Sequence, residues 1–205
     1  MKDALRELLV QRALRTGQKV ILSTGRESNF YFNCKPVTLS QDGAFLVADA
    51  FLAKLLLLPE PVLAIGGRTL GADPIVGAVM MRARHLGGAL DGFLVREKRK
   101  THGTEELIAN APPPGTPVAI VDDVVTTGRS VIEAIDAARA AGCRVVGVVV
   151  LLDRQEEGGE AKIRERVQHY IPVYTRQDFP EIRAADGPSG EPSAHENSAH
   201  SGSGT

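Results

Sequence analysis

The run VAIVDDVVTTGRS, Val118 to Ser130, ends an apolar strand with two adjacent carboxylates, Asp122 and Asp123. Val124, Val125, Thr126, Thr127, Gly128, Arg129 and Ser130 follow and bend toward a helix. Small and hydroxylated residues entering a helix N-terminus expose backbone N–H groups and the positive end of the dipole, which together cradle a phosphate. Carboxylates beside that cradle repel the phosphate unless they bind something else. Sugar hydroxyls suit them, and so does a metal that travels with the phosphate. The stretch therefore asks for a phosphorylated sugar. Two plainer roles compete: an acid pair that merely holds magnesium, and a capped helix after an acidic turn. No GxxxxGK[ST] loop exists in the chain to support the first, and capping leaves the motif's length unexplained.

Three other groups carry chemistry. Arg154 in LLDRQEEG follows an apolar strand, where a guanidinium grips a carboxylate with two hydrogen bonds or pairs with Glu156 or Glu157. Arg96, Lys98, Arg99, Lys100 and His102 in VREKRKTHGTEELI form a basic run, which is either a solvated loop or a local anion site. Tyr31 and Phe32 offer aromatic faces to a flat ligand or to the core of a hairpin.

The elements that must position these groups follow from periodicity. Leu5, Leu8, Leu9, Arg12 and Ala13 mark an opening helix that Gly17 would end. VILSTGRESNFYFN reads as a hairpin about Thr24-Gly25. Ser40 caps a helix expected to run through Leu58, before Pro59. Val62–Gly67, Leu90–Val95, VAIV and RVVGVVVLL are apolar strands, and ADPIVGAVMMRARHL and SVIEAIDAARAAG are the helices between them. Such alternation predicts an α/β fold with an open, mostly parallel sheet covered by helices on both faces. Ligands collect at the carboxyl ends of such strands, so Asp122, Asp123 and Arg154 are expected on one rim.

The 24 basic and 25 acidic residues nearly cancel, so no global field points to nucleic acid or a membrane. The charged N-terminus lacks a signal-peptide core and no apolar window is long enough to span a bilayer, which together indicate a cytoplasmic protein. Cys34 and Cys143 are expected to be reduced and structural. The Gly-, Ser- and Pro-rich tail from about Ala184, with His195 and His200, is expected to be disordered and to bind no metal.

VAIVDDVVTTGRS closely resembles the phosphoribosyl pyrophosphate signature of type I phosphoribosyltransferases. That resemblance implies that Asp122 and Asp123 face the ribose 2- and 3-hydroxyls while Thr126 to Ser130 hold the 5-phosphate. STGRESNFYFNCK resembles the N-terminal hood of the orotate phosphoribosyltransferases, which places Tyr31 and Phe32 beside the pyrimidine. LLDRQEEG matches the same family, which uses this arginine, Arg154, to hold the orotate carboxylate, and Thr126 also borders the base. VREKRKTHGTEELI resembles the family's catalytic loop, here 96–106, which reaches over the partner's site in a homodimer. Its contact positions for pyrophosphate fall on Arg96, Lys98, Arg99, Lys100 and His102. GGRTLGADP resembles the subgroup in which Thr69, Leu70 and Gly71 offer backbone N–H groups to pyrophosphate, and Arg68 adds charge.

The implied division is an N-terminal helix and hood over 1–40, a catalytic core over 41–183 and a tail over 184–205. The implied reaction is magnesium-dependent transfer of phosphoribosyl to orotate, with the ion bound mainly through the sugar pyrophosphate and no protein metal ligands. The chain departs from the family pattern at Glu97, where many members have lysine, at Ser23, and at Leu70. A phosphoribosyltransferase for another base, a regulator that senses the sugar pyrophosphate, and an inactive subunit are the rival readings. Arg154, the balanced charge and the intact His102 loop tip argue against them in turn.

Overall fold

The computed structural model describes residues 2–21, 27–97 and 107–185. The Thr24-Gly25 turn, Ser23, Lys98, Arg99, Lys100, His102, His195 and His200 lie outside them. In chain order the elements begin with α1 (Lys2–Arg12), the strands β1 (Leu14–Ile21) and β2 (Glu27–Phe32), the short α2 (Lys35–Thr38) and α3 (Gln41–Leu55). There follow β3 (Ala64–Arg68), α4 (Asp73–His85), β4 (Asp91–Val95), β5 (Ile108–Ala109), β6 (Pro117–Val125) and α5 (Arg129–Ala140). The remainder is β7 (Arg144–Asp153), α6 (Gly159–Arg164), β8 (Tyr170–Thr175), a 3-10 turn (Arg176–Asp178) and α7 (Pro180–Ala185).

Six strands form one sheet in the order β5-β4-β3-β6-β7-β8, parallel throughout except for β5 against β4. Successive side chains of a strand face opposite sides, and β6 divides accordingly. Val118 and Ile120 pack with Val148, Val150 and the inner face of α5, whereas Ala119 and Val121 pack with Val149, Leu151 and α1, α3 and α4. The β1–β2 hairpin shares the second of these cores through Phe30 and Phe32. Among the described residues no helix is long and apolar enough to cross a membrane.

Several boundaries differ from expectation. The first helix stops at Arg12, and Gly17 lies inside β1, because Leu14, Arg15 and Thr16 pair with Phe32, Tyr31 and Phe30. The third helix ends at Leu55; Leu56 and Leu57 are exposed and only Leu58 turns inward. β6 continues four residues past Val121, since β7 supplies backbone partners as far as Val125. The acid pair therefore stands on the last turn of a strand, not beyond it. Ala184 and Ala185, placed in the tail by composition, close α7.

Candidate active site

β3 and β6 lie side by side, yet the chain leaves β3 toward β4 and leaves β6 toward β7, in opposite directions across the sheet. An open α/β sheet forms its ligand crevice at such a switch point. Two loops flank it, Arg68–Ala72 and Asp122–Gly128. They touch at Gly71, where an added Cβ would stand 2.6 Å from Asp123 Oδ1 and 2.7 Å from Asp122 Oδ1. Only glycine lets this backbone lie against the acids. The Thr69–Leu70 peptide before it is cis.

The two carboxylates take different surroundings. Asp122 is buried and accepts hydrogen bonds from Ser130 Oγ at 2.6 Å and from the Asp123 N–H at 2.9 Å. Burial first, and then the neighbouring Asp123 charge, push its pKa from the usual 3.8 to about 7. Asp123 is more accessible, accepts the Val124 N–H at 2.9 Å and lies 3.8 Å from Lys35 Nζ. Lys35 had no role in the sequence reading; Asn33 Oδ1 accepts its backbone N–H. Helix α2, opened by Pro36, then carries it beneath the site.

Beyond the acids the chain turns on Gly128, whose φ of 77° is left-handed and whose Cβ would meet the Gly159 carbonyl at 2.9 Å. Thr127 Oγ1 accepts the Arg129 N–H at 3.3 Å, and Arg129 starts α5. Thr126, Thr127 and Ser130 are half-buried along this bend, while Val125 packs into the core. The loop thus presents hydroxyls and the α5 N-terminus to one point, the cradle that the residue types call for.

Arg154 comes to the same rim, its N–H donating to the Val125 carbonyl at 3.0 Å. Its side chain is 3% exposed, so the surface ion pair considered for it is a buried one: Nη2 lies 2.9 Å from Glu156 Oε2. Its guanidinium carbon sits 4.5 Å from the centroid of Phe30, and that of Arg176 sits 4.9 Å from it. Burial lowers the Arg154 pKa and the Glu156 charge opposes that shift. The turn is anchored beneath by Asp153, which accepts from Tyr170 Oη at 2.8 Å and from the Gln155 N–H at 2.7 Å.

The expected aromatic pair is split by strand alternation. Tyr31 is 40% exposed, whereas Phe32 is buried and meets Phe179 edge-on at 4.9 Å. Phe32 is thus a packing residue of the hood, and Phe30, which the sequence reading passed over, is the ring that touches Arg154. Arg96 is held at the end of β4, its N–H donating to the Leu107 carbonyl at 2.9 Å. Thr69 is corrected as well: its N–H is used by the Val95 carbonyl at 3.0 Å, so its hydroxyl is the group left to meet a ligand. Arg68 pairs with Glu133 and, at 3.2 Å, with Glu97.

Comparison with known proteins places this arrangement. Residues 76–173 match the phosphoribosyl transferase domain. The orotate phosphoribosyltransferase of Sorangium cellulosum is 38% identical over 180 residues, covering 87% of this chain and 92% of that protein. That of Thermosynechococcus vestitus is 42% identical over 162 residues, covering 78% and 84%. The structure of the Mycobacterium tuberculosis orotate phosphoribosyltransferase with Fe(III) dicitrate superposes with a TM-score of 0.71 at 32% identity, covering 87% of this chain and 98% of that one. Its complex with 5-phospho-alpha-D-ribosyl 1-diphosphate gives 0.69 at 28% identity, with the same coverage. A sheet, switch point and acid pair shared over nine-tenths of the Sorangium relative leave one assignment: the chain belongs to the orotate phosphoribosyltransferase family.

Proposed function

We propose that this chain transfers the phosphoribosyl group of 5-phosphoribosyl 1-pyrophosphate to orotate, releasing pyrophosphate and orotidine 5-monophosphate, the phosphoribosyl step of UMP biosynthesis. The observation that carries the base assignment is Arg154. A nearly buried guanidinium at the rim shared with the acid pair suits a planar carboxylate, which a base lacking that group does not offer.

The residues divide the work by position. Backbone N–H groups and hydroxyls of Thr126 to Ser130 receive the 5-phosphate at the α5 N-terminus. Asp122 and Asp123 accept hydrogen bonds from the ribose hydroxyls and stand near the positive charge that develops on the anomeric carbon. Leu70 and Gly71 donate backbone N–H groups to the leaving pyrophosphate, joined by the Thr69 hydroxyl, Arg96 and, from the segment beyond, Lys98, Arg99, Lys100 and His102. As the bond to pyrophosphate breaks, orotate N1 attacks the opposite face of the ribose, held by Arg154 and bordered by Tyr31 and Thr126. No covalent nucleophile is required; positioning and preorganised charge do the work.

Among the described residues no three His, Cys, Asp or Glu side chains converge as metal ligands. Two carboxylates alone fit a magnesium ion carried mainly on substrate oxygens. Bound there, it supplies charge neutralisation to the leaving group. The deciding experiment mixes protein, phosphoribosyl pyrophosphate and magnesium and follows orotate absorbance, with uracil, adenine and hypoxanthine in parallel. Magnesium-dependent loss of orotate alone is expected; consumption of another base instead would reject the assignment of Arg154.

The enzyme works in the cytoplasm as a homodimer in which residues 96–106 of each protomer serve the partner's site. A second copy finds an apolar face ready: Phe45, Met81 and Leu86 are exposed along α3 and α4, with Leu39 and Leu70 nearby. Light scattering is expected to give the mass of two chains. Mixing the separately inactive variants Lys100→Ala and Arg154→Ala is expected to restore up to about a quarter of wild-type activity, since a symmetric exchange makes half the dimers mixed with one intact site each. No recovery would exclude action in trans.

A further inference from the structure

We propose that Glu97 is an internal anion that holds Arg68 until diphosphate displaces it, so that this residue sets the affinity for the sugar pyrophosphate. The inference rests on the phosphoribosyl-transfer reading of the same site. Arg68 ends β3 directly before Thr69, Leu70 and Gly71, and its side chain is 16% exposed. One arm of the guanidinium, Nη1, donates to Glu133 of α5; the other, Nη2, lies 3.2 Å from Glu97 Oε1. Glu133 also takes Arg129 Nε at 2.7 Å. Two guanidiniums thus face two carboxylates, and an arriving anion meets a neutral cluster where the backbone alone would suggest a cationic one.

The two carboxylates are not equally held. Glu133 is fixed on a helix and shared by both arginines, whereas Glu97 follows the end of β4, is 72% exposed and pairs with Arg68 alone. Glu97 is the partner that water can most easily take back. Diphosphate offers more acceptor oxygens and more charge than one carboxylate, and Nη2 is the arm it can win. When it does, Glu97 moves into water and the cluster gains one positive charge against the bound anion. On departure the carboxylate returns to Arg68, which favours release of the product. Glu97, a departure from the family's usual lysine, therefore weakens binding and speeds exchange at the pyrophosphate loop.

Calorimetric titration of inorganic diphosphate with magnesium into the full chain tests this, using wild type, Glu97→Gln, Arg68→Gln and the double variant, with thermal melts to confirm folding. Removing an exposed ion pair is expected to lower the Kd of Glu97→Gln by about two- to fivefold. The gain should vanish in the Arg68→Gln background, and the Kd of Glu97→Gln should rise more steeply with salt than that of wild type. An unchanged or weakened Kd for Glu97→Gln, a gain that persists without Arg68, or no diphosphate binding by either protein overturns the inference. Orotate consumption is followed on the same samples. Consumption with an unmoved Kd defeats this inference alone, whereas the expected Kd pattern without consumption defeats only the base assignment.

Discussion

Asp122→Asn is expected to make the protein more stable above neutral pH and nearly inactive. Asp122 is buried, and burial together with the Asp123 charge raises its pKa to about 7 from 3.8. A carboxyl whose folded pKa is raised contributes stability that is complete below the unfolded value and is lost as pH rises through the folded one. Between about pH 4 and pH 7 the unfolded chain releases this proton while the fold retains it, and above pH 7 the fold must carry a buried charge beside a second one. Asparagine never ionises and still bridges Ser130 Oγ and the Asp123 region, so it escapes the loss. The melting temperature of the variant should match wild type near pH 5 and exceed it at pH 8, by about 4–8 °C if about 2 kcal/mol is recovered. Activity at pH 8 should fall by about a hundredfold or more, the usual effect of removing a preorganised charge near a developing cation. In wild type, kcat/KM for the sugar pyrophosphate should rise through pH 7 as the carboxylate forms. A variant that melts lower than wild type at pH 8, or a gap that ignores pH, would mean that Asp122 is held ionised by its hydrogen bonds.

The tension at Asp122 also accounts for what could be seen in the sequence. β3, β4, β6 and β7 are apolar on both faces, so their residues betray them, and the DD-x-x-T-x-G sequence shows its chemistry because the phosphate loop is local. β8, YIPVYT, escaped because Pro172 interrupts its pattern. The strand lies at the sheet edge, where a proline's missing N–H does no harm. β5 has two residues and α6 has six, too few for any period. The β1 strand, LRTGQKVI, carries no alternation of its own and exists because β2 pairs with it. The parts of the site that stayed hidden are the non-local ones. Arg68 and Glu133 are 65 positions apart, and Phe30 and Arg154 are 124 apart, separations at which spacing says nothing about contact. Alternation alone could have corrected Phe32, since Phe30 and Phe32 must share a face that Tyr31 does not.

Arg154→Ala is expected to lower kcat/KM for orotate by about 10²–10³, the effect of removing one member of a buried, charge-assisted contact. The size of the effect follows from the surroundings: the guanidinium is 3% exposed and faces Phe30, so water cannot replace it well as a partner for the orotate carboxylate. Glu156 keeps Arg176 at 3.5 Å after the substitution, so the turn should hold and the melting temperature should fall by only a few degrees, about 1 kcal/mol at this chain length. The loss should fall on orotate, with the Kd for phosphoribosyl pyrophosphate within about twofold of wild type, since the phosphate cradle and the acid pair are built on β6 and not on β7. Arg154→Lys keeps the charge but not the fork and should recover less than about a tenth of the lost activity. Uracil separates the two roles that the arginine could play. It lacks the carboxylate, so if Arg154 acts on that group, the variant should handle uracil no worse than wild type does. An equal loss on both bases, or a loss that appears in sugar pyrophosphate binding, would instead make Arg154 a brace for the turn between Asp153 and Gly158, with the carboxylate of orotate held elsewhere.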